Sequence, residues 1–244
     1  DSFIFRISDT QKKTNNIHAH YGVVEKGSVS VGDTVNLQIE SDHRRMIMCN
    51  HSATHLLHEA LRRVLGDHVT QKGSQVSAEK LRFDFSHQKP LDSEEIIRIE
   101  DTINNLIKSD SEVIVEVLTY EKAVESGALA LFGEKYSSDV RVLTMGHDSF
   151  SKELCGGTHV KSLGEIENFK IISQNSVASG IRRVEAVTGS IALNSLSLID
   201  KINEKERKIE EKKQTKTKEK RVSKNILNGK IEEFNKLKFF FDQI

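Results

Sequence analysis

Apolar and polar residues change their period several times along the chain, and each change marks an element. Residues 1 to about 40 alternate in short pieces, "FIFRI", "HAHYGVV" and "TVNLQI", parted by turn-forming runs such as "NN", "EKGSVSVGD" and "SD". This alternation predicts several strands of a small, incomplete β unit over residues 1–43. The period then lengthens. In "HSATHLLHEALRRVLG", residues 51 to 66, Leu56, Leu57, Ala60, Leu61, Val64 and Leu65 recur at helical spacing, with Asn50 placed to cap the helix and Gly66 to end it.

Next, "HVTQKGSQVSAEKLRFDFSH", residues 68 to 87, predicts a hairpin turning about Lys72-Gly73. After the only proline, Pro90, helical spacing returns at Ile96, Ile99, Ile103, Leu106 and Ile107, with Asp92 or Ser93 as cap. "EVIVEVLTY", "VRVLTM", "FKIISQ" and "GIRRVEAVTG" read as strands, and "EKAVESGALALFG" as a short helix. Helices and strands mixed without regular βαβ alternation indicate an α+β domain over residues 44–189. From Ser190, the residues Ile191, Leu193, Leu196, Leu198, Ile199 and Ile202 continue as a helix, whose apolar face fades in "EKERKIEEKKQTKTKEKRVSK". Asn228-Gly229 interrupts it and "KIEEFNKLKFFF" resumes it, so residues 190–244 read as a helical arm that needs a partner and could form a homo-oligomer.

Composition narrows the class. The 244 residues are 36% hydrophobic and 30% charged, without the apolar run of roughly 20 residues that would span a bilayer. "DSFIFRISDTQ" does not look like a signal peptide, so the cytoplasm is the expected compartment, with no membrane partner. Beginning at Asp1, the sequence is expected to be a piece of a longer polypeptide. Its formal charge is zero, but residues 201–244 carry 14 Lys/Arg against 8 Asp/Glu. A basic tail suits nucleic acid, and a solvated Lys/Glu-rich helix explains it as well. Two cysteines, Cys49 and Cys155, make no disulfide framework and leave a ligand or reactive role open for each.

His51 and His55 stand four apart, which on a helix lets both imidazoles reach one ion. In "ELCGGTHV", Cys155 and His159 repeat that spacing, and together the four offer the nitrogen and sulfur donors that zinc prefers. His58 shares the stripe and reads as a structural residue behind the ligands. A metalloprotease is excluded, because Ser52 stands where its glutamate base would follow the first histidine. A purely structural zinc site stays open, since four protein ligands close the shell. Against it, Thr54 lies between the histidines, and Gly156 and Gly157 expose peptide groups beside Cys155 that suit a pocket or an oxyanion. Gln71 could reach in with its amide or be an exposed turn residue.

The blocks "NHSATHLLHEALRRVLGDHVTQKGS", "LRFDFSH", "GALALFGEKY", "ELCGGTHV" and "GIRRVEAVTG" closely resemble the editing domain of the alanyl-tRNA synthetase family, over roughly residues 2 to 190. The resemblance implies a threonyl/alanyl-type editing fold, with residues 1–43 as part of the small β-barrel that precedes it. It also implies a hydrolase that removes serine or glycine wrongly esterified to tRNA(Ala), with no aminoacylation by this stretch. His51, His55, Cys155 and His159 match the editing quartet that can hold one Zn2+, and Thr54 and Gln71 match positions of discrimination and hydrolysis. Threonyl relatives share the quartet and in some members work without metal. Two departures stand out: an extra residue in "MGHDSFSKEL", and Glu167 where the family has glycine. The 3′ aminoacylated end of tRNA(Ala) would need phosphate contacts, for which Lys72, Arg182 and Arg183 are candidates; surface charge or a pairing with Glu185 is the other reading.

Overall fold

The computed structural model describes residues 3–14, 17–130 and 138–195. The chain divides into two units, residues 1–40 and residues 41 onward. In the first, β1 (Ile4–Lys12) and β2 (His18–Lys26) pair antiparallel, with Phe5 opposite Val24 and Lys12 opposite His18. "TVNLQI", expected as a third strand, is not one: residues 34–39 are exposed and carry no strand assignment. Alternation alone does not hold a segment extended when no neighbouring strand takes up its N–H and C=O groups.

The second unit opens on α1 (Ser41–Leu65), which begins ten residues before its expected start. Asn50 is not its cap. Only 1% exposed, Asn50 lies inside the helix. Its Nδ2 donates to the carbonyls of Ser77 (2.9 Å) and Ala78 (3.1 Å), and its Oδ1 accepts from Thr188 Oγ1 (2.8 Å). These tertiary partners occupy the side chain that local chemistry would otherwise direct to an N-terminus. Gly66 does end the helix, at φ +116°, where a side chain would be strained.

β3 (Gln71–Val76) and β4 (Leu81–Ser86) form the expected hairpin, but the turn is at Ser77–Lys80, closed by Ser77 N–H on the Lys80 carbonyl (3.0 Å). Lys72 and Gly73 lie within β3, beside a register shift between Gln71 and Gly73. α2 (Ser93–Ser109) starts at the expected Asp92, whose carboxylate accepts from Glu95 N–H while Glu95 accepts from Asp92 N–H. β5 (Ile114–Thr119) and β6 (Asp139–Met145) follow as expected; the helix between them, α3 (Tyr120–Glu125), stops short of the expected stretch 121–133, of which 126–130 are not helical and 131–133 lie outside the described residues. β7 (Ser151–Leu154), β8 (Phe169–Ala178) and β9 (Ile181–Thr188) complete the strands, of which β7 was not foreseen.

In the second unit the described residues form two antiparallel sheets, in the orders β3-β4-β9-β8 and β5-β6-β7. The larger core joins the first sheet to both long helices: Leu81, Phe83, Phe85, Val184 and Phe169 meet Leu56, Leu57 and Leu61 of α1, and Ile99 and Ile103 of α2. A smaller core of Ala123, Ala128, Val140, Val142 and Leu154 lies under the second sheet. This mixture is the α+β class. Both departures from the family pattern have backbone signatures: Asp148 and Ser149 in the stretch of the extra residue have φ of +53° and +54°, and Glu167 has φ +66°. Residues 189–195 begin a helix, and the rest of the expected arm, with any self-association through it, lies outside the described residues. Among the described residues, no helix is long and apolar enough to cross a membrane.

Candidate metal centre

Helical periodicity places His51 and His55 one turn apart on α1, and both face the loop that follows β7. From that loop come Cys155 and His159. One ligand atom from each of the four lies within 4.8 Å of all the others, and His55 and His159 are buried while His51 and Cys155 are half-exposed. Cys155 Sγ is 3.6 Å from His51 Nε2 and 3.3 Å from His159 Nε2.

Each imidazole is fixed from behind through Nδ1. His51 Nδ1 is 3.2 Å from the Thr158 carbonyl, which can only accept. His55 Nδ1 is 2.7 Å from Glu153 Oε2, and His159 Nδ1 is 3.2 Å from Ser52 Oγ. Ser52 also takes up Val160 N–H at 3.2 Å, so its hydroxyl acts as an acceptor there. A proton on each Nδ1 leaves an Nε2 lone pair for the cluster, the arrangement that metal-binding histidines use. His55 Nε2 is buried and has no hydrogen-bond partner. An orphaned buried nitrogen is costly, and a metal ion would satisfy it. Three imidazoles and a thiolate thus fit a cation of borderline softness.

Electrostatics agree. Burial would push the Cys155 thiol up, but the imidazoles of His159, His51 and His55 around it outweigh that and bring the group down to about 3, which favours the thiolate that a metal ligand needs. Burial holds His159 below the usual histidine range. Burial also opposes charge on His55, yet the Glu153 carboxylate and Cys155 overcome it and raise its affinity for a proton. Positive charge is therefore favoured between the sulfur and the carboxylate, and a metal ion supplies it as well as a proton does.

The cysteine loop is tied down by Arg141 on β6. Its Nη1 donates to the carbonyls of Cys155 (3.0 Å) and Gly157 (2.6 Å), while Cys155 N–H donates to the Arg141 carbonyl (3.0 Å). Glycine at 157 is a matter of space: a Cβ there would sit 2.2 Å from His51 Cε1, whereas one at Gly156 would meet nothing within 4 Å. Gly157 N–H points at Cys155 Sγ (3.5 Å).

Thr54 is buried on α1, and its hydroxyl donates to the Asn50 carbonyl (2.8 Å). Gln71 is half-buried at the start of β3, with its amide on Ser74 Oγ (3.3 Å). Lys72 is exposed on the same strand. Arg183 pairs through Nε and Nη2 with Asp84 (2.7 and 2.8 Å), and Arg182 donates to Gln174 (3.3 Å). His58 lies behind the cluster with Nδ1 2.9 Å from Glu153 Oε1. Glu153, Arg141 and Ser52 were not singled out from the sequence as parts of the site. Neither Glu153, in the mixed strand Ser151–Leu154, nor Arg141 carried a signal that would have found it.

Known proteins are similar to this chain in sequence. The family described as "Threonyl and Alanyl tRNA synthetase second additional domain" matches residues 140–185, the stretch from β6 to β9 that carries Cys155 and His159. Alanine–tRNA ligase of Parvibaculum lavamentivorans is 52% identical over 208 residues, 83% of this chain. That of Ruthia magnifica is 52% identical over 185 residues, 76% of the chain. The chain belongs to the alanyl-tRNA synthetase family. It spans 23% of the length of the first of these alanyl-tRNA synthetases and 21% of the second.

Proposed function

We propose that this stretch of an alanyl-tRNA synthetase is its editing hydrolase, which cleaves serine or glycine from mischarged tRNA(Ala) at a Zn2+ held by His51, His55, Cys155 and His159. The domains of that reading are a β-barrel part over residues 1–43, the editing domain over 44–189 and a helical arm over 190–244. The observation that carries it is the one-sided burial of the quartet: His55 and His159 are closed off, while His51 and Cys155 stay half-exposed. A purely structural ion is best served by a closed shell, and a substrate's end needs an open side.

When bound, the metal supplies Lewis-acid polarisation and helps bring a water to the ester. The chain's own residues do the rest. Because the Thr54 hydroxyl donates its proton to the Asn50 carbonyl, its lone pairs remain to accept from the hydroxyl of a seryl ester. An alanyl ester has no such donor, and leaving a buried polar group unpaired costs roughly 1–3 kcal/mol. In this reading Gln71 and the peptide groups of Gly156 and Gly157 donate to the developing oxyanion, Gln71 by leaving Ser74 and Gly157 N–H by leaving Cys155 Sγ. Of the three basic candidates, Lys72 is exposed and the one to contact tRNA phosphates in this reading; Arg183 engages them only by leaving Asp84. Cytoplasmic location follows from the substrate.

A deacylation assay on Ser-tRNA(Ala) tests the reading. The chain should release serine, Cys155→Ala should not while staying folded, and Thr54→Val should narrow the preference for seryl over alanyl esters. A folded, metal-loaded chain that leaves Ser-tRNA(Ala) intact would return the centre to a structural role.

A further inference from the structure

Behind the quartet lie two buried side chains, Glu153 and His58, to which the proposed hydrolysis gives no part. Glu153 is 2% exposed, yet both its carboxylate oxygens are used: Oε2 by His55 Nδ1 at 2.7 Å and Oε1 by His58 Nδ1 at 2.9 Å. We propose that Glu153 is the positioning residue of this centre, with His58 as its clamp: the carboxylate selects the nitrogen that His55 offers the metal, and His58 holds the carboxylate in place. The inference rests on the metal-centre reading and goes beyond its four ligands.

The argument is one of donors and acceptors. An ionised carboxylate only accepts, so both Nδ1 atoms must carry hydrogen, and each ring, when neutral, then keeps its lone pair at Nε2. On α1, His51, His55 and His58 follow one another at intervals of four and three, which keeps them on one stripe. Their Nε2 atoms nevertheless have different surroundings. That of His55 belongs to the cluster, whereas His58 packs its ring on Phe83, with centroids 5.3 Å apart, and is not among the four groups that meet. His58 is thus tied at one end alone, to Glu153, which is the geometry of a clamp. The carboxylate has a fixed base as well, because the neighbouring backbone is bonded on both sides: Leu129 N–H to the Lys152 carbonyl (2.8 Å), and Leu154 N–H to the Leu129 carbonyl (2.9 Å).

Glutamine at 153 breaks this logic with almost no change of shape. Its amide nitrogen donates, so one of the two histidines must present a lone pair at Nδ1 and carry its hydrogen on Nε2. If that histidine is His55, the metal loses a ligand; if it is His58, the clamp is rebuilt in the other tautomer.

Co2+ serves as the probe on the full chain, with its visible absorption bands reporting ligand geometry, chelator competition giving affinity, and circular dichroism reporting the fold. Glu153→Gln should weaken Co2+ binding roughly 10–100-fold and shift the bands without altering the dichroism. Glu153→Asp should recover part of the loss, and His58→Phe should cost less and add little to Glu153→Gln. If Glu153→Gln binds Co2+ with wild-type affinity and bands, the positioning role is overturned while the metal centre stands. If the wild-type chain shows no Co2+ bands at all, the metal centre itself falls and takes this inference with it. Should Glu153→Gln fail to fold, Glu153→Asp decides the matter by the same two readings, unchanged values overturning the role.

Discussion

The quartet is assembled from two unlike halves. His51 and His55 stand in the middle of a 25-residue helix whose neighbouring Ala53, Leu56 and Leu57 are fully buried, so the core that holds the fold together also aims these rings. Cys155 and His159 lie in a loop anchored at its ends by the buried Leu154 and Val160, and between them it is held by hydrogen bonds from Arg141 and through Ser52. The helix half should therefore couple metal binding to global stability, and the loop half should let the two be separated.

Alanine in place of one ligand from each half tests that contrast most severely. Both His55→Ala and Cys155→Ala should abolish metal binding, read by elemental analysis after dialysis. With chelator present, however, His55→Ala should lower the unfolding free energy by about 3–5 kcal/mol, because Glu153 loses one partner of a buried charged pair. Cys155→Ala should cost far less in denaturant, since no buried charge is left behind. Equal losses in the two variants would erase the distinction between helix and loop.

Next in size is Arg141→Met. It removes two hydrogen bonds from a cationic donor and should loosen the loop by about 1.5–3 kcal/mol, read as weaker metal binding with the helix-rich dichroism unchanged. Close behind it, Gly157→Ala drives a methyl into the His51 ring and should cost about 1–3 kcal/mol of stability or its equivalent in metal affinity. Gly156→Ala, next to it in open space, is the control and should change neither.

The same two halves differ in what their sequence discloses. The helix pair follows from periodicity, because residues four apart on an apolar-striped helix must share a face. Even there the start of α1 escaped, since Asn50 has the chemistry of a cap and only its tertiary partners, the Ser77 and Ala78 carbonyls and the Thr188 hydroxyl, reveal that it is internal. The hairpin turn was misplaced for a similar reason. Lys72-Gly73 has turn composition, but Gly73 lies in β3 against Asp84, and the chain reverses at Ser77–Lys80. In the loop half, "CGGTH" named its ligands without disclosing what aims them. Arg141 precedes Cys155 by fourteen residues and reaches it only because β6 and β7 pair. Glu153 has meaning only once His55 and His58 face it.

A smaller effect belongs to Asp110, beyond the C-terminal end of α2, whose Oδ1 accepts from Gly164 N–H at 2.7 Å and so holds the segment a few residues past His159. Hydrogen bonds from the Ser162 hydroxyl and Gly164 N–H hold its carboxyl below the usual range. With the folded value depressed, its contribution is present above the unfolded value of about 3.9 and is lost as pH falls through the folded one. The stability difference between wild type and Asp110→Asn should therefore be constant near neutrality and shrink below about pH 4, read from denaturation midpoints. A difference that widens in acid would contradict this anchor.

The smallest expected effect concerns Glu167, which the family likeness marks as a glycine position. Its φ of +66° comes with a hydrogen bond from Asn168 N–H to the Ile166 carbonyl (2.9 Å), a three-residue turn that is strained for a residue with a side chain. Relief of such strain is worth about 1–3 kcal/mol. Two terms oppose it: the exposed pair of Glu167 with Arg45 (2.7 Å), worth about 0–1 kcal/mol, and glycine's greater freedom in the unfolded chain, about 0.5–1 kcal/mol. Glu167→Gly should therefore raise stability by about 1 kcal/mol or less, while Glu167→Ala, which loses the pair and keeps the strain, should lower it slightly. The difference between the two variants isolates the backbone, because the ion pair is absent from both. Since Glu167 touches neither half of the quartet, metal affinity should be the same in both; a change there would mean that strain at this turn reaches the cysteine loop, and that the loop is less independent of the core than its few hydrogen bonds imply.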